Sequence, residues 1–198
     1  MKWIFRFFDD RGNRYWEAPL VQDNCKADGC QNITSMVHPY CFDCLPRHLR
    51  VAVRPSTLGP NVGFGLFASD PERPLGEIVF HKGDYICPYL GEKLDRLDLE
   101  QRYCGAVNGT TVCSVNAPYA FSTHRGFFDG ALLRGPAVYT NDARGSQLKN
   151  NSLIRMDEYM DRLFLYAMCD IGNGWEILTE YGDDYWNGFK LPFETVYE

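Results

Sequence analysis

Cys25, Cys30, Cys41 and Cys44 form two close pairs, Cys-x4-Cys and Cys-x2-Cys, with ten residues between them. Each pair can present two thiolates to one tetrahedral ion, the ligand set of a structural zinc site. His38 and His48 lie close enough in sequence for either to replace one cysteine. Spacing leaves that variant open, as it leaves open four unliganded thiols in a loop. Residues 21–48 hold half of the eight cysteines and few aliphatic side chains. Apolar burial therefore cannot order this segment, and bound metal would supply much of its folding free energy. Cys87, Cys104, Cys113 and Cys169 lack such pairing and are expected to be buried free thiols.

A second set of residues is spread along the rest of the chain. Gly63-Phe64-Gly65 is too short for a dinucleotide fingerprint, because the third glycine is missing and strand-like residues follow. It gains meaning beside Gly83-Asp-Tyr-Ile-Cys-Pro-Tyr89-Leu-Gly91-Glu92, Tyr139-Thr-Asn141-Asp142 and Gly174-Trp-Glu176-Ile-Leu-Thr-Glu180-Tyr181-Gly182. In this order the four segments resemble the motifs of SET-domain lysine methyltransferases: a Gly-x-Gly turn, a Gly-Asp strand leading to Tyr-x-Gly-Glu, an Asn-His core, and a closing Gly-Glu-Glu-Leu-x-x-Asp-Tyr-Gly run. Asp129, twelve residues before Asn141, matches the family's approach to the Asn-His motif. The resemblance covers about Leu49 to Trp186.

The sequence also departs from the family. Asn141-Asp142-Ala143-Arg144 replaces Asn-His-Ser-Cys, and only Asn150 or Asn151 can stand for the later asparagine. Trp175 and Glu180 replace a glutamate and the aspartate of the closing run. No cysteine follows Cys169, so the family's C-terminal zinc cluster is absent. Its place over the cofactor would fall to Tyr185, Trp186 and Phe189.

The resemblance implies transfer of a methyl group from S-adenosylmethionine to a protein lysine, a histone tail above all. A free lysine amine, with a pKa of about 10.4, is charged at neutral pH and cannot attack. Aromatic walls that desolvate the ammonium, together with the cofactor's positive sulfonium, favour the neutral form. Tyr89, Tyr119 and Tyr181 are the expected walls, with the Tyr181 hydroxyl orienting amine and methyl. Val62, Gly63, Phe64, Gly65, Asn141, Asp142, Tyr181 and Trp186 are expected to hold the cofactor. In the family the residue two positions before the closing tyrosine limits the number of methyl groups. Here it is Thr179, small enough to permit dimethylation or trimethylation unless Tyr139 or Tyr185 fills the space. Two readings of other classes remain: a SET-like peptide-binding module without catalysis, which Tyr181, Tyr89 and Asn141 argue against, and a structural zinc protein. Within the enzyme reading a non-histone lysine is an alternative substrate.

The elements that must position these residues are mostly strands and turns. A mainly β fold with short helices is expected, a SET-type β-clip with an N-terminal zinc-binding segment. Its parts would be a hairpin and cysteine segment over 1–48, a catalytic domain over 49–186 and a short tail over 187–198. Aromatic and polar residues alternate over 1–20, as in a hairpin turning at 10–13. Leu49–Val53, Phe64–Phe67 and Tyr85–Leu90 read as strands, as do Arg162–Cys169 and Trp175–Tyr181. Lys93–Tyr103 reads as a short helix, and the Gly-, Asn- and Thr-rich residues 104–117 as an irregular loop.

Apolar residues make up 45% of the chain and charged residues 23%, with aromatics at 15%, which places it among folded globular proteins. The net charge of -6 argues against direct nucleic-acid binding and suits a basic, lysine-containing peptide. The first ten residues interleave charges with apolar residues and lack a small-residue cleavage site, which does not fit a secretory signal. No apolar run is long enough for a membrane helix. Nuclear localisation is the expectation that follows from a histone substrate.

Overall fold

Period-2 burial is clearest in the strand Arg162–Ala167, where Leu163, Leu165 and Ala167 point into the core and Phe164 and Tyr166 stay half-exposed. The computed structural model describes residues 4–8, 14–19, 23–34, 38–107, 110–113, 117 and 119–186. Arg162–Ala167 is the middle strand of an antiparallel sheet, between Ser152–Asp157 and Tyr85–Tyr89. A second sheet pairs Val51–Pro55 with Phe64–Ala68 and Phe64–Ala68 with Glu176–Ile177. A third joins Ala120–Thr123, Gly126–Asp129 and Glu92–Leu94. Leu45, Val51, Leu66, Phe80, Leu165 and Ile177 belong to one buried cluster between these layers.

The chain is mostly β with short helices, as expected. Among the described residues the helices are Leu45–Leu49, Arg96–Tyr103 and Asp183–Trp186, with a 3-10 turn at Pro136–Tyr139. None of them is long and apolar enough to cross a membrane. The N-terminal hairpin is formed by Ile4–Phe8 against Arg14–Pro19; its turn lies outside the described residues.

Three expectations are corrected. The helix begins at Arg96, because Glu92–Leu94 is taken into the third sheet opposite Phe127–Asp129. Residues 104–113 form a hairpin, Cys104–Val107 with Thr110–Cys113, in which Cys104 lies opposite Cys113; β-branched Val107, Thr110, Thr111 and Val112 favour strand despite the glycines around them. Cys169 is exposed, whereas Cys87 is fully buried as expected.

One crossing organises the rest. The segment 176–179 passes between the two ends of the 141–152 loop and is hydrogen-bonded to both. Thr179 N donates to Asn141 O (2.9 Å), while Asn151 N and Ser152 N donate to Leu178 O (3.0 and 2.9 Å). Parallel bridges Asn141–Leu178 and Ser152–Thr179 accompany these bonds. The Asn151 side chain seals the crossing, donating to Glu176 O and accepting from Leu178 N. Residues far apart in sequence are thereby held at one place.

Candidate active site and cysteine cluster

The crossing leads directly into Tyr181. Its hydroxyl donates to Thr140 O (2.7 Å) and its backbone N–H donates to Asp142 Oδ2 (2.9 Å). The same carboxylate accepts from Trp186 Nε1 (2.9 Å), Asn150 Nδ2 (3.0 Å) and Arg144 N (2.9 Å). Burial works against the Asp142 charge, but these four donors outweigh it and hold the carboxyl below its usual range. Where the family has histidine, this chain has an anionic hub that ties Asn150, Tyr181 and Trp186 together.

Beside the hub lies a narrow cavity of about 50 Å³, lined by all three expected walls, Tyr89, Tyr119 and Tyr181, and also by Thr140, Thr179 and Tyr185. Burial raises the pKa of both Tyr89 and Tyr181, so each presents a neutral hydroxyl rather than a phenolate. Tyr89 donates to Tyr119 O (2.7 Å), and Gly130 N donates to the same carbonyl (2.9 Å). Two of the walls are thus fastened to each other. The Tyr185 ring meets Tyr181 edge-on, with centroids 4.6 Å apart.

On the other side of Asn141, its amide donates to Phe64 O (3.0 Å) and to Glu176 Oε1 (3.2 Å). Glu176, buried, also accepts from Ser56 Oγ (2.7 Å), Thr57 N (2.7 Å) and Thr57 Oγ1. This carboxylate fastens the turn before Phe64–Ala68 to Asn141. It also explains Gly65, where a Cβ would lie 2.1 Å from Glu176 Oε1. Gly63 is required for a different reason, its φ of +85°. Val62 and Phe64 remain largely exposed, leaving an apolar face next to Asn141.

The described residues expected to serve methyl transfer lie around Thr140-Asn141-Asp142, either at the cavity, at the Val62–Gly65 strand entry or at the Asp142 hub. Phe189 lies outside the described residues. Sequence reading gave no role to Glu176 or Thr140, and it offered Asn151 only as an alternative to Asn150. Glu176 lies inside the closing motif, but its bonds to Ser56 and Thr57 span about 120 residues and leave no local pattern.

At the other end of the described chain, the Sγ atoms of Cys25, Cys30, Cys41 and Cys44 all lie within 4.8 Å of one another. The Cys30–Cys41 separation of 3.8 Å equals the edge of a tetrahedron with zinc–sulfur bonds of about 2.3 Å. Cys41 N–H points at Cys25 Sγ (3.3 Å) and the Asn32 amide at Cys41 Sγ (3.6 Å), as suits thiolates. Neither histidine belongs to the cluster: His38 Nδ1 accepts from Tyr40 N, and His48 stacks on the Tyr40 ring at 3.9 Å. The donor set fits one tetrahedral zinc ion.

No protein-family sequence model and no curated protein sequence matches the chain. Solved structures do. The chain is similar to a subunit of the polycomb repressive complex 2 of Chaetomium thermophilum, at 25% identity and TM-score 0.50 over 70% of this chain and 16% of that one. An apo form of ctPRC2 with two substitutions in Ezh2 matches at 24% identity and TM-score 0.52, over 71% and 16%. An autoinhibited ctPRC2 bound to S-adenosylmethionine matches at 24% and 0.50, also over 71% and 16%. The chain spans about one-sixth of the length of these proteins. Its fold is that of the SET-domain methyltransferases, the class to which the threaded crossing and the tyrosine cavity also point.

Proposed function

We propose that the chain is an S-adenosylmethionine-dependent protein-lysine N-methyltransferase with one structural zinc, acting in the nucleus on a histone tail. The observation that carries this reading is the cavity between Tyr89, Tyr119 and Tyr181, which abuts the Thr140–Asp142 segment. A narrow cavity of about 50 Å³ suits the end of an extended lysine. Its phenolic walls desolvate an ammonium, which favours the neutral amine, and the carboxylate at the lining, Glu180, is exposed to solvent.

S-adenosylmethionine would be held by Asn141, by backbone at Val62–Gly65 and by Trp186, and it supplies an electrophilic methyl carbon. The exposed apolar face of Val62 and Phe64 beside Asn141 supports this placement, since a purine-bearing ligand would cover it. The protein's own contribution is alignment. The Tyr181 hydroxyl, held at Thr140 O, and the fixed walls keep the amine on one line of approach, an effect that can supply several kcal/mol. The net charge of -6 supports a basic partner.

The number of methyl groups follows from Thr179. It is buried at the cavity, and Tyr185 lines the same cavity while Tyr139 does not. Thr179 leaves volume for a second methyl group and Tyr185 limits the third, so dimethyl-lysine is the expected main product.

Incubation of the zinc-loaded protein with core histones and labelled S-adenosylmethionine, read by mass spectrometry, tests the reading. Label on a defined histone lysine supports it. A folded protein that transfers no label to histones or other basic proteins, and whose melting temperature S-adenosylmethionine does not raise, sinks it.

A further inference from the structure

A second, larger cavity of about 290 Å³ adjoins the narrow one and shares Ala120, Phe121, Tyr181 and Tyr185 with it. Leu99, Ala117 and Phe127 line only the larger cavity, as do Ser122, Gly182 and Asp183. Asp183 is the one charged residue among the described lining residues, and Arg144 pairs with it at 2.8 Å. The walls are held by bonds of their own. The helix Arg96–Tyr103, which carries Leu99, is tied to buried Asp129 by Arg102 and by the Tyr103 hydroxyl. Asp129 ends the strand that carries Phe127 and pairs with Ala120–Thr123. Apolar cavities of about 150 Å³ already take up a benzene ring, so this one has room for a large side chain.

We propose that the larger cavity is a specificity subsite that takes a large apolar side chain, Leu, Met or Phe, two residues from the target lysine of the substrate. This rests on the lysine reading of the narrow cavity and names the sequence class that the reading leaves open. Continuity of the two cavities identifies the occupant. A group seated in the larger one touches the same Tyr181 and Tyr185 rings that flank the lysine. Among the described residues Ala120–Thr123 is an outer strand of its sheet, and its Ala120 and Phe121 line both cavities. A peptide passing this edge in extended form turns every second side chain to one face, about 6.8 Å apart. With the lysine in the narrow cavity, the residue two positions away meets the larger one. An apolar side chain there loses its contact with water and gains the lining of Leu99 and Phe127. A polar one gives up its hydration without a partner and is rejected. Tail lysines with small or polar residues at that spacing are therefore poor substrates.

The test is a set of basic peptides around one lysine, with Leu, Phe, Ala, Ser or Glu placed in turn two residues before it and two residues after it. The wild-type protein should favour Leu or Phe over Ala at one of these positions by about 10-fold in kcat/KM. Ala117→Phe, which fills the cavity from a position outside the lysine site, should lower kcat/KM for the favoured peptide and bring that ratio to about one. Ser122→Lys places a charge at an exposed position of the same lining and should shift the preference from Leu toward Glu; it carries the test should Ala117→Phe fail to fold. Equal use of all residues at both positions by the wild type overturns the proposal while methylation itself stands. A ratio that neither variant changes also overturns it, and leaves the cavity to another occupant, the chain's own C-terminal residues or a second copy. Absence of methylation on every peptide and on core histones sinks the lysine reading, and this proposal with it.

Discussion

Between Asp23 and Cys44 the buried residues among those described are Cys25, Thr34, His38 and Cys41, with no aliphatic side chain. Around the cavity the strands Tyr85–Tyr89 and Arg162–Ala167 bury Ile86, Cys87, Leu163, Leu165 and Ala167. One region is arranged around four thiols and the other around an apolar core crossed by buried carboxylates. The two meet at Leu45, one residue beyond the last cysteine of the cluster and fully buried in the main core. A segment that a bound ion would order is thus joined to a domain with an apolar core of its own.

The largest effect expected from this contrast is that of removing a metal ion from the four thiols. Structural zinc in small modules contributes on the order of 10 kcal/mol of apparent binding free energy. Chelation, or Cys41→Ser, should abolish hydrogen-exchange protection over 23–44 while the amides of Leu163, Leu165 and Ile177 stay slow. Equal loss of protection in both regions would show that they are one cooperative unit and would break the comparison.

The contrast also sets what could be read from sequence. Cysteine ligands come in local pairs, so Cys-x4-Cys and Cys-x2-Cys are visible in the chain itself, although only the coordinates place His38 and His48 outside the cluster. The cavity walls come from positions 89, 119 and 181. Tyr89 and Tyr181 lie in the quoted family motifs, and Tyr119 lies outside them. Glu176 lies inside the closing motif, but its partners Ser56 and Thr57 are about 120 residues away and leave no local pattern. The 104–113 hairpin was misread for the opposite reason: its glycines and asparagine suggested a loop, and strand pairing decided otherwise.

Next in size is the effect of the Tyr181 hydroxyl. Tyr181→Phe should lower turnover about 100-fold, with the cofactor-induced rise in melting temperature kept, because the Tyr181 N–H bond to Asp142 does not involve the side chain. Single-turnover kinetics beside thermal shift separates the two. A parallel loss of cofactor binding would place the hydroxyl in the binding face and not in alignment of the amine.

Asp142→Asn is expected to act through order and not through chemistry. The carboxylate accepts from four donors on both oxygens, whereas an amide can accept on one side only and turns a donor toward the other pair. Leaving such donors unpaired should cost about 3 kcal/mol, read from urea unfolding, and should loosen Trp186 from the cofactor face. A change below about 0.5 kcal/mol, the size usual for ordinary surface substitutions, would remove Asp142 from its place as the hub.

The smallest effect separates the two regions by pH. Burial lowers the His38 pKa to about 4, and the imidazole is 7% exposed. The unfolded chain takes up a proton at this residue below about pH 6.5, and the folded chain does so only near pH 4. Between those values the unfolded state binds more protons, so stability falls as pH falls, by about 2 kcal/mol at pH 5. Asp142 has the same sign in a lower window. Its folded pKa lies below the unfolded value near 4, so its contribution is intact at pH 5 and is lost only on further acidification. Acid should therefore weaken the cysteine segment before the domain. Thiolate protonation also acts on the segment, but it is common to the wild type and His38→Gln. In excess zinc, the difference in urea midpoint between these two proteins at pH 7.5 and pH 5 isolates the histidine. The midpoint of His38→Gln should fall less than that of the wild type, and parallel profiles would mean that His38 is protonated in the folded chain at pH 5.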